Sequence, residues 1–91
     1  MSQTRLVKNP SVLCTDMDEG AVLLDLETTS YYSLNRTALR IWTLIESNPT
    51  IEALAARLAE EYGVDYDRAL ASAGRLVTTL ERERLIRSEP S

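Results

Sequence analysis

The sequence predicts an α+β domain, a three-stranded antiparallel sheet followed by three helices. Two observations carry this. Up to residue 34, short apolar runs alternate with turn residues; beyond it, apolar residues recur at three- and four-residue spacing. The connections between the predicted strands are short, which favours a meander in sequence order. At 91 residues the chain has room for one modest core, so a single domain over 1–91 is expected. It divides into an extended lead-in (1–10), a sheet (11–34) and a helical part (35–87).

Each element has its own signal. In the lead-in, Asn9-Pro10 marks a turn or a boundary. Val12 to Met17 reads as a strand, closed by Asp18-Glu19-Gly20, a hairpin turn whose glycine can take a positive φ. Ala21 to Leu26 follows, with Val22, Leu24 and Leu26 on one face and Leu23 and Asp25 on the other. Glu27-Thr28-Thr29 turns the chain again, and Ser30 to Leu34 is the third predicted strand. Asn35 then opens a helix of about Arg36 to Glu46, with Ala38, Leu39, Ile41, Trp42 and Ile45 at helical spacing. Thr50 caps a second helix that carries Glu52 in its first turn and Ile51, Leu54, Ala55, Leu58 and Tyr62 on one face; Gly63 stops it. Asp65 caps a third, running to about Arg84 around Leu70, Ala73, Val77 and Leu80. Leu85 to Arg87 either adds a short strand or folds back.

Composition narrows the function. A formal charge of −4 argues against a general nucleic-acid binder. No apolar run has the length of a membrane span, so a cytoplasmic protein without a membrane partner is expected. The chain has no His and one Cys, which excludes a Cys/His metal cluster and a Ser/His or Cys/His nucleophile pair. Cys14, among strand residues, reads as a small buried hydrophobe. Gly20, Gly63 and Gly74 stand too far apart for a phosphate loop, and Glu60 and Glu61 are helix neighbours that do not face each other. No enzyme, cofactor or metal is expected.

Three features remain. Tyr31 and Tyr32 point to opposite faces of their strand, and Tyr32 aligns with Leu34 toward the core, leaving Tyr31 open. The strand Ser30-Tyr31-Tyr32-Ser33-Leu34 pairs on one side only in a meander, yet lacks the Lys or Pro that usually protects an edge. Either a helix covers it or an extended peptide adds there as a fourth strand. On the third predicted helix, Ala69, Ala73, Leu76 and Leu80 lie along one side of the apolar stripe, with Ser72 and Thr79 just beyond. Small residues at 69, 72 and 73 leave a groove, bordered by Arg68, Arg75 and Arg82 at seven-residue spacing. Arg75 and Arg82 have no acidic residue three or four places away, so they read as a solvated basic face or, as a set, as a site for an acidic or polar peptide.

The run Ala-Val-Leu-Leu-Asp-Leu-Glu-Thr-Thr-Ser-Tyr-Tyr-Ser-Leu-Asn (21–35), then Trp42, then Thr50 to Asp65, resembles PqqD-like proteins, also called RiPP recognition elements. The match runs from about Val12 to Ile86, and Tyr-Tyr-x-Leu-Asn followed by Trp is its most specific part. The resemblance implies a winged-helix-like domain that holds the leader segment of a ribosomally made precursor peptide as an extra strand, between the third strand and the third helix. Carried over, Ser30, Tyr31, Tyr32, Ser33 and Leu34 bind through main-chain groups; Ala69, Ser72, Ala73, Leu76 and Thr79 form the cleft wall; Arg68 and Arg75 meet polar or acidic leader side chains. Members serving pyrroloquinoline quinone synthesis tend to have a Pro-Glu-Gly-like turn after the second strand, where this chain reads Asp25-Leu-Glu-Thr-Thr. A free-standing chain of this size looks more like the leader-binding half of a split lasso-peptide maturation protease, with a separate cysteine peptidase and a cyclase as partners. The rivals are a PqqD-type chaperone in quinone synthesis, a subunit lending its sheet edge to a larger enzyme, and a winged-helix DNA-binding regulator that reads DNA with Arg68 and Arg75.

Overall fold

The computed structural model describes residues 4–90. Strands β1 (Thr4–Lys8), β2 (Val12–Met17), β3 (Gly20–Asp25) and β4 (Tyr31–Asn35) are followed by helices α1 (Arg36–Leu44), α2 (Ile51–Tyr62) and α3 (Tyr66–Arg82), then by β5 (Ile86–Pro90). The predicted meander is present as an antiparallel β2-β3-β4 sheet. The predicted third strand is thus β4. It starts one residue later than expected: the Asp25 N–H still bonds the Ser30 carbonyl at 2.8 Å, but the Asp25 carbonyl accepts from the Thr29 N–H at 2.8 Å, so the reciprocal bond to Ser30 is not made.

A second ribbon joins the two ends of the described chain. Part of the lead-in forms β1, which pairs antiparallel with β5, Thr4 opposite Pro90 and Lys8 opposite Ile86. Leu6, Leu85 and Ile86 are thereby buried in the core. Lys8 stretches across the ring of Trp42, its ammonium 4.5 Å from the ring centre, and reaches Glu46 at 3.4 Å. The ribbon is thus tied to α1 by a cation–π contact as well as by packing.

Helix α1 packs on one face of the sheet, the one that carries Ala21, Leu23 and Asp25. Ala21, Leu23 and Asp25 are buried, Val22 and Leu24 only half so, and Leu26 is exposed. A carboxylate is tolerated inside because Asp25 Oδ1 accepts the N–H groups of Glu27 (2.9 Å) and Thr28 (3.4 Å), closing the turn. Cys14 also differs from expectation. It lies opposite Leu23 on the core side, but β2 is the outer strand, so the thiol is exposed. Partial burial, then Asp16, push its thiol pKa up from the ordinary value.

The helix ends follow the sequence closely. Asn35 Oδ1 accepts the Ala38 N–H at 2.8 Å and Thr50 Oγ1 accepts that of Ala53 at 3.1 Å. Gly63 ends α2 in the left-handed conformation with φ 65°. Asp65 holds the cap position of α3 without a side-chain capping bond. α1 stops at Leu44, short of Glu46; its last carbonyl accepts the backbone N–H of Asn48 at 2.8 Å and the side-chain amide at 3.2 Å, just before Pro49. Between helices, Arg40 on α1 (2.6 Å) and Arg57 on α2 (2.9 Å) share Glu61.

Two predictions follow the sheet and the helices. Gly20 has φ +155°, and a Cβ there would overlap the Leu34 carbonyl oxygen of β4; Gly20→Ala is expected to cost at least about 2 kcal/mol in urea unfolding. The Arg40 hydrogen bond, then Arg57, hold the Glu61 carboxyl down from 4.5 to about 2. Its stabilising contribution is full above 4.5 and lost as pH falls through about 2. Glu61→Gln should therefore lower Tm at neutral pH, and its gap from the wild type should close in scans taken toward pH 2.

Candidate peptide-binding groove

The main chain of β4 divides into inward and outward residues. In an antiparallel ladder, alternate residues turn both N–H and C=O toward the same neighbour. The bond from the Asp25 N–H to the Ser30 carbonyl fixes the phase, so Tyr32 (opposite Leu23) and Leu34 (opposite Ala21) are the residues bonded to β3. Tyr31 and Ser33 therefore turn their donors and acceptors to the free side of the sheet. Among the described residues no main-chain group bonds them there. Of the five strand residues expected to bind a peptide, only these two offer backbone; Ser30, Tyr32 and Leu34 are already committed to β3.

Side chains follow the same alternation on the other axis. Tyr32 packs against the core and Leu34 is buried, whereas Tyr31 is 74% exposed on the face away from the helices. The expectation that Tyr32 faces inward and Tyr31 stays open is met. Tyr31 cannot also point its ring into a cleft on the core side.

That cleft lies between the start of α1 and α3, next to the end of β4. One stretch, of about 350 Å³, has Asn35, Thr37 and Ala38 on one wall and Ser72, Arg75, Leu76 and Thr79 on the other. A second, of about 270 Å³, continues toward the α2–α3 turn, between Thr37, Leu58 and Tyr62 and the α3 residues Arg68, Ala69 and Ser72. Thr37 and Ser72 belong to both, so the two form one groove along α3. Six residues expected on α3 (Arg68, Ala69, Ser72, Arg75, Leu76, Thr79) line it. Ala73 does not: it has no exposed surface and belongs to the core beneath, so it acts only by being small. Tyr62, expected on the packed face of α2, is instead half exposed at the groove. The α1 wall, Thr37 and Ala38, had no signal in the sequence beyond following the Asn35 cap.

The groove's border is basic. Among the described residues Arg68, Arg75 and Arg82 form no ion pair, and Arg75 makes only a long 3.5 Å contact to Ser72 Oγ. A larger hollow of about 440 Å³ lies near the other end of α3, between Asn9, Arg84 and Arg87. It is rimmed by charged side chains, and Ile86, its apolar member, is buried. An extended apolar guest has no surface to match there. Among the described residues no cluster of His, Cys, Asp and Glu is arranged to hold a metal, and no helix is long and apolar enough to cross a membrane.

The family model described as coenzyme PQQ synthesis protein D (PqqD) matches residues 20–86. Two solved structures share the fold. TbiB1 in complex with the TbiA(beta) leader peptide is 26% identical with TM-score 0.78, over 88% of this chain and 93% of that one. Lasso peptide synthetase B1 complexed with the leader peptide is 29% identical with TM-score 0.77, over 93% of this chain and 98% of that one. No curated protein matches.

The alternation along β4 has a direct readout in amide hydrogen exchange. The Tyr32 and Leu34 amides should exchange slowly and those of Tyr31 and Ser33 at close to the rate of unprotected backbone. Equal protection at all four would mean that the outer side of β4 is occupied.

Proposed function

The chain belongs to the PqqD family, and from that premise we propose that it captures the leader segment of a ribosomally synthesised precursor peptide and presents it to a maturation enzyme. The leader adds to β4 as a fourth strand, bonded to the outward main chain of Tyr31 and Ser33, and its inward side chains enter the groove along α3. The observation that carries this reading is the adjacency of an unpaired strand edge and an open, partly apolar groove, in a fold shared with two proteins solved with leader peptides bound.

Each part has a physical role. Main-chain pairing supplies affinity with little demand on sequence, and the groove supplies selection. Leu76 and Ala69 offer apolar surface, Ser72 and Thr79 offer hydroxyls, and Arg68 and Arg75 meet acidic leader side chains from opposite ends. The protein makes and breaks no bonds itself. Holding the leader raises the local concentration of the attached core at the enzyme, so that processing becomes effectively intramolecular. The enzyme is a separate cysteine peptidase of a lasso-peptide pathway, with a cyclase acting afterwards.

Service to quinone-cofactor synthesis is the second reading, favoured by the description of the family model. Against it stand the turn residues Leu26-Glu27-Thr28-Thr29 and the likeness to lasso peptide synthetase B1. Duplex DNA has less in its favour, because the chain is acidic overall and its unpaired arginines flank a cleft instead of a protruding helix.

The test is a titration with fluorescently labelled leader segments of short precursor peptides drawn from the open reading frames that neighbour this protein's own. Ser72→Trp, which fills the groove where its two stretches meet, and Ser33→Pro, which removes an outward N–H without touching the β3 ladder, should each weaken binding by at least about tenfold. Circular dichroism and Tm should change little. Wild-type affinity in both variants would remove this placement of the leader.

A further inference from the structure

The α1 wall of the groove stands on the half of that helix with the weaker hold on the core. Thr37 and Ala38 are in the first turn of α1, whereas its buried residues, Ile41, Trp42 and Leu44, are all in the second half. Ala38 and Leu39 are only partly buried, and Arg36 and Thr37 are exposed. The Asn35 cap fixes where this turn begins but not how far it stands from α2 and α3. Arg40, three residues after Thr37 and so on the same side of the helix, reaches across to the last turn of α2. Its Nε donates to Glu61 Oε1 at 2.8 Å and a terminal nitrogen donates to Oε2 at 2.6 Å.

Two parallel bonds between a planar guanidinium and a carboxylate fix distance and orientation together, which a single ammonium contact does not. On the α2 side Glu61 is steadied by Arg57, one turn back on the same helix, whose Nε donates to Oε2 at 2.9 Å. Among the described residues Arg40–Glu61 is the one ion pair that joins two helices. Its location matters more than its strength. An exposed pair adds little to stability by itself, but Glu61 precedes Tyr62 and follows Leu58 by one turn, and these two α2 residues line the groove together with Thr37. The Glu61 hydrogen bond, against the opposing effect of desolvation, pushes the Arg40 pKa up, and Tyr62 adds to the rise; the phenol is thus within electrostatic reach of the guanidinium.

We infer that Arg40 and Glu61 are positioning residues for the groove: their paired bonds clasp the first half of α1 to the end of α2 and so set the gap between Thr37 and the wall of Leu58 and Tyr62. The setting of the gap does not depend on what fills it; its consequence for selecting a leader rests on the function proposed above. Main-chain bonds to Tyr31 and Ser33 are made at β4 and do not involve the clasp. Opening it therefore removes the part of the affinity that depends on the guest's side chains and spares the part that does not.

The experiment uses the full chain with the labelled leader that the wild type binds, and with versions of that leader in which single side chains are cut back to alanine. Arg40→Gln and Glu61→Gln should each weaken leader binding by at least about fivefold, and the double variant no more than either alone, because both remove the same link. In these variants the penalty for cutting back the inward leader side chains should shrink, a change of selectivity that a general loss of folded protein does not produce. Arg40→Lys keeps the charge without the fork and should recover only part of the affinity. Arg57→Gln loosens Glu61 without parting the helices and should stay within about twofold of the wild type. Wild-type affinity in Arg40→Gln, or an equal loss for every leader of the set, overturns the inference. Methyl NMR of the free protein reads the gap without a guest. The Thr37, Ala38 and Ala69 signals should shift in Arg40→Gln and not in Arg57→Gln, and signals unmoved by Arg40→Gln overturn the inference too. Shifted signals, with no leader bound even by the wild type, would keep the clasp and remove the leader reading instead.

Discussion

Hydrogen bonding between β3 and β4 occupies every second residue of β4, and what the molecule offers to others depends on which residues those are. Ser30, Tyr32 and Leu34 are bonded inward, and Tyr31 and Ser33 are left outward. A shift of one residue would reverse the set, and at the same time would turn Leu34 out of the core and Tyr31 into it. Burial of Leu34 and Tyr32 against the helices therefore fixes the register of the open edge. Gly20 reinforces that register from the other strand, since only a residue without Cβ can lie against the Leu34 carbonyl.

Much of this was legible in the sequence. The meander, the Asn35 and Thr50 caps, the Gly63 stop and the inward placing of Tyr32 rest on local chemistry: turn residues, side-chain oxygens that accept from a helix's first turn, and strict alternation along a strand. What was not legible depended on contacts distant in sequence. Alternation divides β3 into a Val22, Leu24 and Leu26 face and an Ala21, Leu23 and Asp25 face without saying which is buried; the second is, with its carboxylate closing the turn. The extended lead-in gave no hint of its partner, because β1 and β5 are separated by the whole domain. Tyr62 has the right spacing for a packed face but falls in the last turn of α2, where it is half exposed and lines the groove opposite α3.

The groove was found by sequence on one wall only. Arg68, Ala69, Ser72, Arg75, Leu76 and Thr79 follow from helical geometry, and Ala73 was chosen for its size but lies one layer too deep. The opposing wall, Thr37 and Ala38, exists because α1 begins immediately where β4 ends. Three surfaces thus meet along one short strand: main chain at its edge, the groove at its inner side, and at its outer side an apolar row of Leu13, Leu24 and Tyr31. Tyr31 is common to the first and the last, and Asn35, as the final residue of β4 and the cap of α1, joins the first to the second.

The β1–β5 ribbon carries a mechanical consequence. Thr4 and Pro90 are paired at its open end, so a load applied between the two ends of the described chain pulls the ribbon apart as a zipper, one pair at a time. Strands loaded in that geometry yield at low force, since their bonds are strained in succession and not together. Tension from anything tethered at these ends would be dissipated by peeling β1 from β5, toward Lys8 and Ile86, before it reached the meander.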